Sequence, residues 1–103
     1  MNSALARVPT RSGSRYLQQL SKHWSHSLAV EFTAEHSRIV FPRDSRGADW
    51  PADGVLTMTA QPETLDVKID ASSPEHLDAL KGVVARHLDR FAFREAPLSF
   101  DWT

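Results

Sequence analysis

Four short stretches between residues 28 and 70 alternate apolar and polar side chains, and this alternation is the strongest constraint on the fold. The apolar members are Leu28, Val30 and Phe32, then Ile39 and Phe41, then Leu56 and Met58, and finally Leu65, Val67 and Ile69. A period of two places successive side chains on opposite faces of a strand. The pattern therefore predicts four strands of an antiparallel sheet with one buried face and one solvated face.

The segments between these strands indicate how they connect. Residues 34–37 and 61–63 are short enough for hairpin connections. Residues 43–54, RDSRGADWPADG, are rich in turn-forming residues and are expected to form the longest loop. Trp50 in this loop is expected to be exposed, as suits a residue that contacts a partner.

A helical spacing of apolar residues precedes the first of these strands. Tyr16, Leu17, Leu20 and Trp24 form one stripe within residues 11–25. Thr10 and Ser12 are both candidate N-caps, because their hydroxyls can accept a hydrogen bond from the first turn. The spacing predicts a first helix with one buried face.

A second helix follows the fourth strand. It is expected to begin at Ser72 or Ser73, with Pro74 in the first turn and Glu75 in a capping interaction. Its apolar stripe is long and regular, and consists of Leu77, Leu80, Val84, Leu88 and Phe91. This stripe predicts burial of one face of the helix against the sheet.

Two more strands are predicted, one from the short apolar-leaning run at residues 4–8, which Pro9 ends, and one from the alternation at residues 98–102. The expected order is β-α-β-β-β-β-α-β in a single domain, 1–103. Both helical stripes are buried if the helices share one face of the sheet, which gives an α+β two-layer sandwich. This order resembles the TATA-box-binding-protein-like arrangement, which is also found in the C-terminal domain of phosphohexomutases.

The composition excludes several functions. Twelve basic and 13 acidic residues give a net charge of -1, which argues against a nucleic-acid or anionic-membrane partner. The absence of cysteine excludes disulfides and thiolate chemistry. Because the sequence shows neither an apolar run of about 20 residues nor a signal peptide, we expect a cytoplasmic protein.

Three histidines are the candidate ligands for a metal or cofactor. His23 and His26 lie three residues apart at the end of the first helix, and His87 lies within the stripe of the second. If the helices share a face, His23 and His87 approach each other and can bind zinc, iron or haem. The alternative, which the lack of a nearby carboxylate ligand favours, is that the histidines are structural and no cofactor is bound. Trp24, within the same segment, is a candidate platform for a ligand.

Three arginines on the second helix and just beyond it are candidates for anion binding. Arg86, Arg90 and Arg94 recur at four-residue spacing. Together with Arg15 they can frame a site for a carboxylate, phosphate or catecholate. The alternative is a solvated face on which Asp89 and nearby carboxylates are the partners of these arginines.

Several segments of the chain resemble the bacterial domain of unknown function 2218 family. The most specific are KHWSH at 22–26 and RHLDRFAFRE within 84–95, accompanied by residues 8–10, 15–17 and 38–42 and by Trp102. The resemblance implies a small bacterial protein without an assigned activity. Similar domains are joined to siderophore-interacting, flavin-dependent reductases, so the resemblance also implies a role near iron and siderophore metabolism, with such a reductase as a partner.

These observations lead to three hypotheses. The first is a non-enzymatic accessory domain that binds a small ligand or metal in iron or siderophore metabolism, through the histidines and arginines named above. The second is an interaction module that forms a homodimer, suggested by Phe91, Phe93, Phe100 and Trp102 near the C-terminus. The third is a small enzyme in which His23 or His26 acts as a general base.

Overall fold

Residues 2–103 form a five-stranded antiparallel sheet with two helices on one of its faces. The structure is a computed structural model and describes residues 2–103. In chain order the elements are β1 (Asn2–Pro9), α1 (Gly13–Trp24), β2 (Ala29–Phe32), β3 (His36–Phe41), a 3-10 turn (Ser45–Gly47), β4 (Gly54–Ala60), β5 (Thr64–Ala71) and α2 (Pro74–Phe91). The strands lie in the order β1-β5-β4-β3-β2. The predicted α+β sandwich is thus confirmed.

The core lies between the sheet and the two helices. Ile39 pairs with Leu56, and Leu56 with Ile69, so one row of fully buried side chains crosses three strands. The neighbouring row, which includes Thr57 and Lys68, faces away from the helices. Burial of the apolar row under α1 and α2 removes it from water and stabilises the two-layer arrangement.

The start of α2 agrees with the sequence prediction, whereas the residue that bonds to the cap differs from the predicted one. Ser73 is the N-cap, and its hydroxyl accepts a hydrogen bond from the His76 backbone N–H at 3.1 Å. Pro74 occupies the first helical position, as expected. Because the cap is Ser73, the backbone N–H that bonds to the cap hydroxyl belongs to His76, three residues later, and not to Glu75.

The predicted strand at 98–102 is absent as a regular element. Its alternation is partly reflected in burial, since Leu98 is buried while Phe100 and Trp102 are partly buried against the core. However, only Thr103 exchanges backbone hydrogen bonds with Leu5 of β1, at 2.9 and 3.0 Å. The segment therefore lies beside the free edge of β1 without forming a ladder.

The opposite edge of the sheet is formed by β2. Val30 faces the core there but is only partly buried, and Phe32 is 36 % exposed. The predicted inward face of this strand is therefore correct, but the helices cover it incompletely. Within residues 2–103, none of the helices has the length and apolarity that crossing a membrane requires.

Candidate functional site

An elongated cleft opens between the end of α1, the outer side of α2 and the long loop after β3. Its volume is about 540 Å³. His76 and His87 line it eleven residues apart on α2, which corresponds to about 16 Å along the helix axis. Leu80 and Val83 line the cleft between them. The site therefore extends along α2, with an imidazole near each end.

Aromatic rings form the first end of the cleft. The Trp24 ring packs edge-on against Phe41, with centroids 5.0 Å apart, and lies 4.8 Å from the His87 ring. His87 Nδ1 lies 2.7 Å from the Val83 carbonyl oxygen, to which it donates its hydrogen. In the neutral ring this leaves Nε2 without a proton, so His87 can accept a hydrogen bond from a ligand.

The other end of the cleft is built by a stacked pair. The rings of Trp50 and His76 are nearly parallel, at 8°, with centroids 4.6 Å apart. Two hydrogen bonds between Arg43 and Trp50 close the loop. The backbone N–H of Trp50 donates to the Arg43 carbonyl at 3.0 Å, and the Arg43 guanidinium donates to the Trp50 carbonyl at 3.1 Å. Asp53 accepts from the Arg43 backbone N–H at 2.8 Å. The expectation of an exposed Trp50 is wrong, because the Trp50 ring is half-buried and stacks on His76.

The histidine of this stack is almost completely buried, at 1 % exposure. Its Nδ1 accepts hydrogen bonds from the backbone N–H and the hydroxyl of Ser72, at 3.2 and 2.8 Å. The proton of the neutral ring therefore resides on Nε2. Burial lowers the pKa of His76 below its ordinary value of 6.5, and the nearby Asp53 carboxylate opposes this effect only in part. His76 is thus a neutral donor, whereas His87 offers an acceptor.

Burial of His76 predicts a loss of stability on acidification. Below about pH 6.5 the imidazole binds a proton more readily in the unfolded chain than in the folded one. The free energy of unfolding therefore decreases as the pH is lowered. In His76→Gln this contribution disappears, and the decline between pH 7.5 and 5.5 is expected to be shallower. Urea unfolding across this range measures the slopes, with exposed His26→Gln as the control. Equal slopes in wild type and His76→Gln would contradict the assignment.

The cleft has a positive charge at its border. Arg86 lines it, and among residues 2–103 none of the lining side chains is an aspartate or glutamate. Ser27 and Ser45 are also among the lining residues. The local charge therefore favours an anionic group over a cationic one.

The predicted histidine group is brought together only in part. The rings of His23 and His87 lie 5.7 Å apart, and His23 also contacts Phe91 edge-on at 5.8 Å. His26 is exposed in the turn after α1 and does not line the cleft. Throughout residues 2–103 the structure contains no group of three histidine, aspartate or glutamate side chains that could hold a metal ion. The predicted triple-histidine ligand set therefore finds no geometric support.

The three arginines are distributed over different surfaces. Arg86 borders the cleft, while Arg94 and Arg15 line a separate cavity of about 250 Å³, together with Tyr16, Gln19, Phe91 and Phe93. Arg90 is exposed and lines neither cavity. The carboxylates near them have other partners. Asp89 accepts the Leu98 N–H at 2.9 Å, and Glu95 accepts the hydroxyls of Tyr16 and Thr10.

Sequence reasoning missed His76, the residue on which one end of the cleft is built. The available signal was the segment Ser72-Ser73-Pro74, which marks a helix start and places His76 in the first turn. A first-turn histidine is ordinarily solvated. In the folded chain the Trp50 ring stacks on it, and Gly54 at the start of β4 lies against its Nε2 edge.

The comparisons with known proteins agree with this architecture. A family model described as "Uncharacterized protein conserved in bacteria (DUF2218)" matches residues 5–103. The NMR structure of PA4090 from Pseudomonas aeruginosa is similar over 100 % of this chain and 96 % of that chain, with 28 % identity and a TM-score of 0.72. No curated protein matches the chain.

Proposed function

The chain belongs to the DUF2218 family of uncharacterized bacterial proteins, and we propose that it binds an elongated aromatic small molecule in the cleft between α1, α2 and the Trp50 loop. The observation that carries this proposal is the shape of the site, a cleft of about 540 Å³ whose two ends are aromatic. Small-molecule sites in proteins are typically concave, mostly apolar and supplied with a few polar groups that fix orientation.

The length and walls of the cleft favour a molecule with more than one ring. Trp24 and Trp50 line the cleft near opposite ends, and Leu80 and Val83 supply apolar contact between them. Planar rings stack on indole faces and displace water from the apolar wall at the same time. A ligand of one ring would contact only one of the two ends.

The polar groups favour a ligand with different groups at its two ends. His87 offers an acceptor at Nε2, and Arg86 beside it on α2 offers a cation. At the other end His76 is almost completely buried, with Trp50 stacked on its ring and Gly54 against its Nε2 edge, so it forms part of the wall. The polar groups at the His87 end would therefore orient a molecule that carries its acidic or hydrogen-bonding group at that end.

Catecholate siderophores and their aromatic precursors are a second candidate ligand class. The resemblance to domains joined to siderophore-interacting reductases suggests this class. The observation that favours it is the combination of aromatic walls with Arg86, because these molecules are aromatic and acidic. Titration with 2,3-dihydroxybenzoate, with and without ferric iron, tests this candidate directly.

Titration with biphenyl-4-carboxylate and its carboxamide tests whether the cleft binds aromatic molecules. Quenching of tryptophan fluorescence reports occupation, since Trp24 and Trp50 line the cleft. Saturable binding with one site is expected for at least one of these probes. Ala79 lines the cleft and is exposed on α2, so Ala79→Trp should fill the cleft and weaken binding by about tenfold or more, equivalent to about 1.4 kcal/mol.

The matched control is Ala29→Trp. Ala29 is exposed and pairs with Val40 in the row that faces away from the helices. The same substitution there should leave probe binding unchanged. The proposal would be overturned if neither biphenyl probe bound saturably to the wild type, or if Ala79→Trp bound the probes as tightly as Ala29→Trp.

A further inference from the structure

We propose that the cleft selects hydroxylated aromatic molecules, and that Nε2 of His87 accepts the hydrogen of their phenolic hydroxyl. His87 would thus contact the ligand and determine its specificity. This inference rests on the proposed function, because it names the chemical group at one end of the aromatic molecule that the cleft binds.

The His87 ring is held in place by contacts within the protein. Its Nδ1 lies 2.7 Å from the carbonyl oxygen of Val83, one turn earlier in α2, and donates its hydrogen there. The Trp24 ring packs on the imidazole with centroids 4.8 Å apart, and the His23 ring lies 5.7 Å away. His87 is therefore half-buried although it lines the cleft. These contacts make the imidazole a positioned group.

The second nitrogen of this ring is open to a ligand. Within residues 2–103 the hydrogen bond of the His87 side chain involves Nδ1, so Nε2 has no partner in this part of the protein. In the same residues, no side-chain nitrogen or oxygen of a half-buried residue is both sealed from solvent and without a hydrogen-bond partner. Nε2 of His87 therefore reaches solvent. Because Nδ1 carries the hydrogen of the neutral ring, Nε2 presents a free lone pair.

This nitrogen is the most basic hydrogen-bond acceptor among the side chains that line the cleft. No aspartate or glutamate lines the cleft in the described part of the chain. Arg86 can only donate hydrogen bonds, and Nδ1 of His76 already accepts two from Ser72. The remaining acceptors are hydroxyl oxygens, which are less basic than an imidazole nitrogen and belong to Ser27 and Ser45.

A phenolic hydroxyl suits such an acceptor. It donates its hydrogen to Nε2 of His87, while its oxygen can still accept a hydrogen bond from the guanidinium of Arg86. An aromatic ether at the same place has an oxygen of the same kind but no hydrogen for Nε2. The ring that carries the hydroxyl would lie beside Trp24, where it gains aromatic contact.

Two probes of similar shape, 4-hydroxybiphenyl and 4-methoxybiphenyl, test the inference. Quenching of tryptophan fluorescence at pH 7.5 gives the affinity of each probe for the wild type and for His87→Phe. The ratio of the two affinities is compared between the proteins, so that the greater apolarity of the methoxy probe and a bond from Arg86 to either oxygen cancel. The relative preference for the hydroxyl should fall about tenfold in His87→Phe, as loss of one hydrogen bond predicts.

The matched control is His26→Phe, which makes the same substitution at an exposed histidine that does not line the cleft. Its affinity ratio should equal that of the wild type. Thermal unfolding followed by circular dichroism shows whether His87→Phe keeps the fold.

NMR spectra of the wild type test the same contact without a substitution. Long-range ¹H–¹⁵N correlations of the His87 ring should show the tautomer with the hydrogen on Nδ1. Addition of 4-hydroxybiphenyl should shift the Nε2 resonance to lower frequency, in the direction that acceptance of a hydrogen bond produces. The methoxy probe should leave this resonance nearly unchanged.

The inference is overturned if the affinity ratio of folded His87→Phe equals that of the wild type, or if both probes affect the Nε2 resonance alike. It is also wrong if the wild type binds biphenyl-4-carboxylate or its carboxamide but not 4-hydroxybiphenyl. In these cases the proposed function stands. If the wild type binds none of the four probes, the proposed function itself fails.

Discussion

Leu17→Ala is expected to lower the free energy of unfolding by about 2–5 kcal/mol. Leu17 lies on α1, has no exposed surface and packs within the core shared by both helices and the sheet. Its truncation loses the transfer free energy of the side chain and leaves a cavity that neighbouring residues fill only partly. A domain of this size has a total stability of about 5–15 kcal/mol, so the change is a large part of it. Urea unfolding followed by circular dichroism measures the loss.

Leu77→Ala is the matched control for this prediction. Leu77 is also helical, but it lies on α2 and is only partly buried. Alanine is at least as good a helix former as leucine, so the variant should lose clearly less stability than Leu17→Ala. Equal losses in the two variants would contradict the position assigned to Leu17 in the core.

Ser21→Ala is expected to cost about 1–3 kcal/mol, because it leaves a buried hydroxyl without its partner. The hydroxyl oxygens of Ser21 on α1 and Ser37 on β3 lie 2.7 Å apart, and both residues are fully buried. Ser37→Ala should have a similar effect, since each substitution leaves the other hydroxyl without a hydrogen-bond partner. Chemical unfolding of the two single variants measures both losses.

The double variant distinguishes this explanation from simple loss of packing. With both hydroxyls removed, no buried polar group is left unpaired, so Ser21→Ala/Ser37→Ala should lose less than the sum of the single variants. Ser25→Ala is the control, because Ser25 is exposed and its hydroxyl bonds only to the Lys22 carbonyl within the same helix end. Additive losses in the double variant would overturn the prediction.

Much of the fold is readable from local periodicity. Leu65, Val67 and Ile69 alternate with charged residues, and all three are fully buried. The stripe of α2 is equally direct, with Leu80, Val84 and Leu88 buried. These patterns work because side-chain direction in a strand or helix follows from backbone geometry alone.

Only the part of the candidate site that follows from which face of each helix is buried could be predicted from the sequence. The approach of His23 to His87 follows from two helices that share one face of a sheet, and their rings do lie 5.7 Å apart. The stack of Trp50 on His76 has no such basis. It depends on how an irregular loop returns to the start of α2, and loop paths have no periodicity that a sequence displays.

The sequence by itself determined five strands, the two helices, their buried faces and the sharing of one sheet face by both helices, because these follow from apolar periodicity and the need to bury apolar side chains. The strand predicted at 98–102 is the exception. Only the tertiary structure decided which polar residues meet. Contacts between residues far apart in the chain bury His76 and form the cleft that Arg86 borders. Arg90 and Arg94 do not line this cleft, although they follow Arg86 at the same spacing.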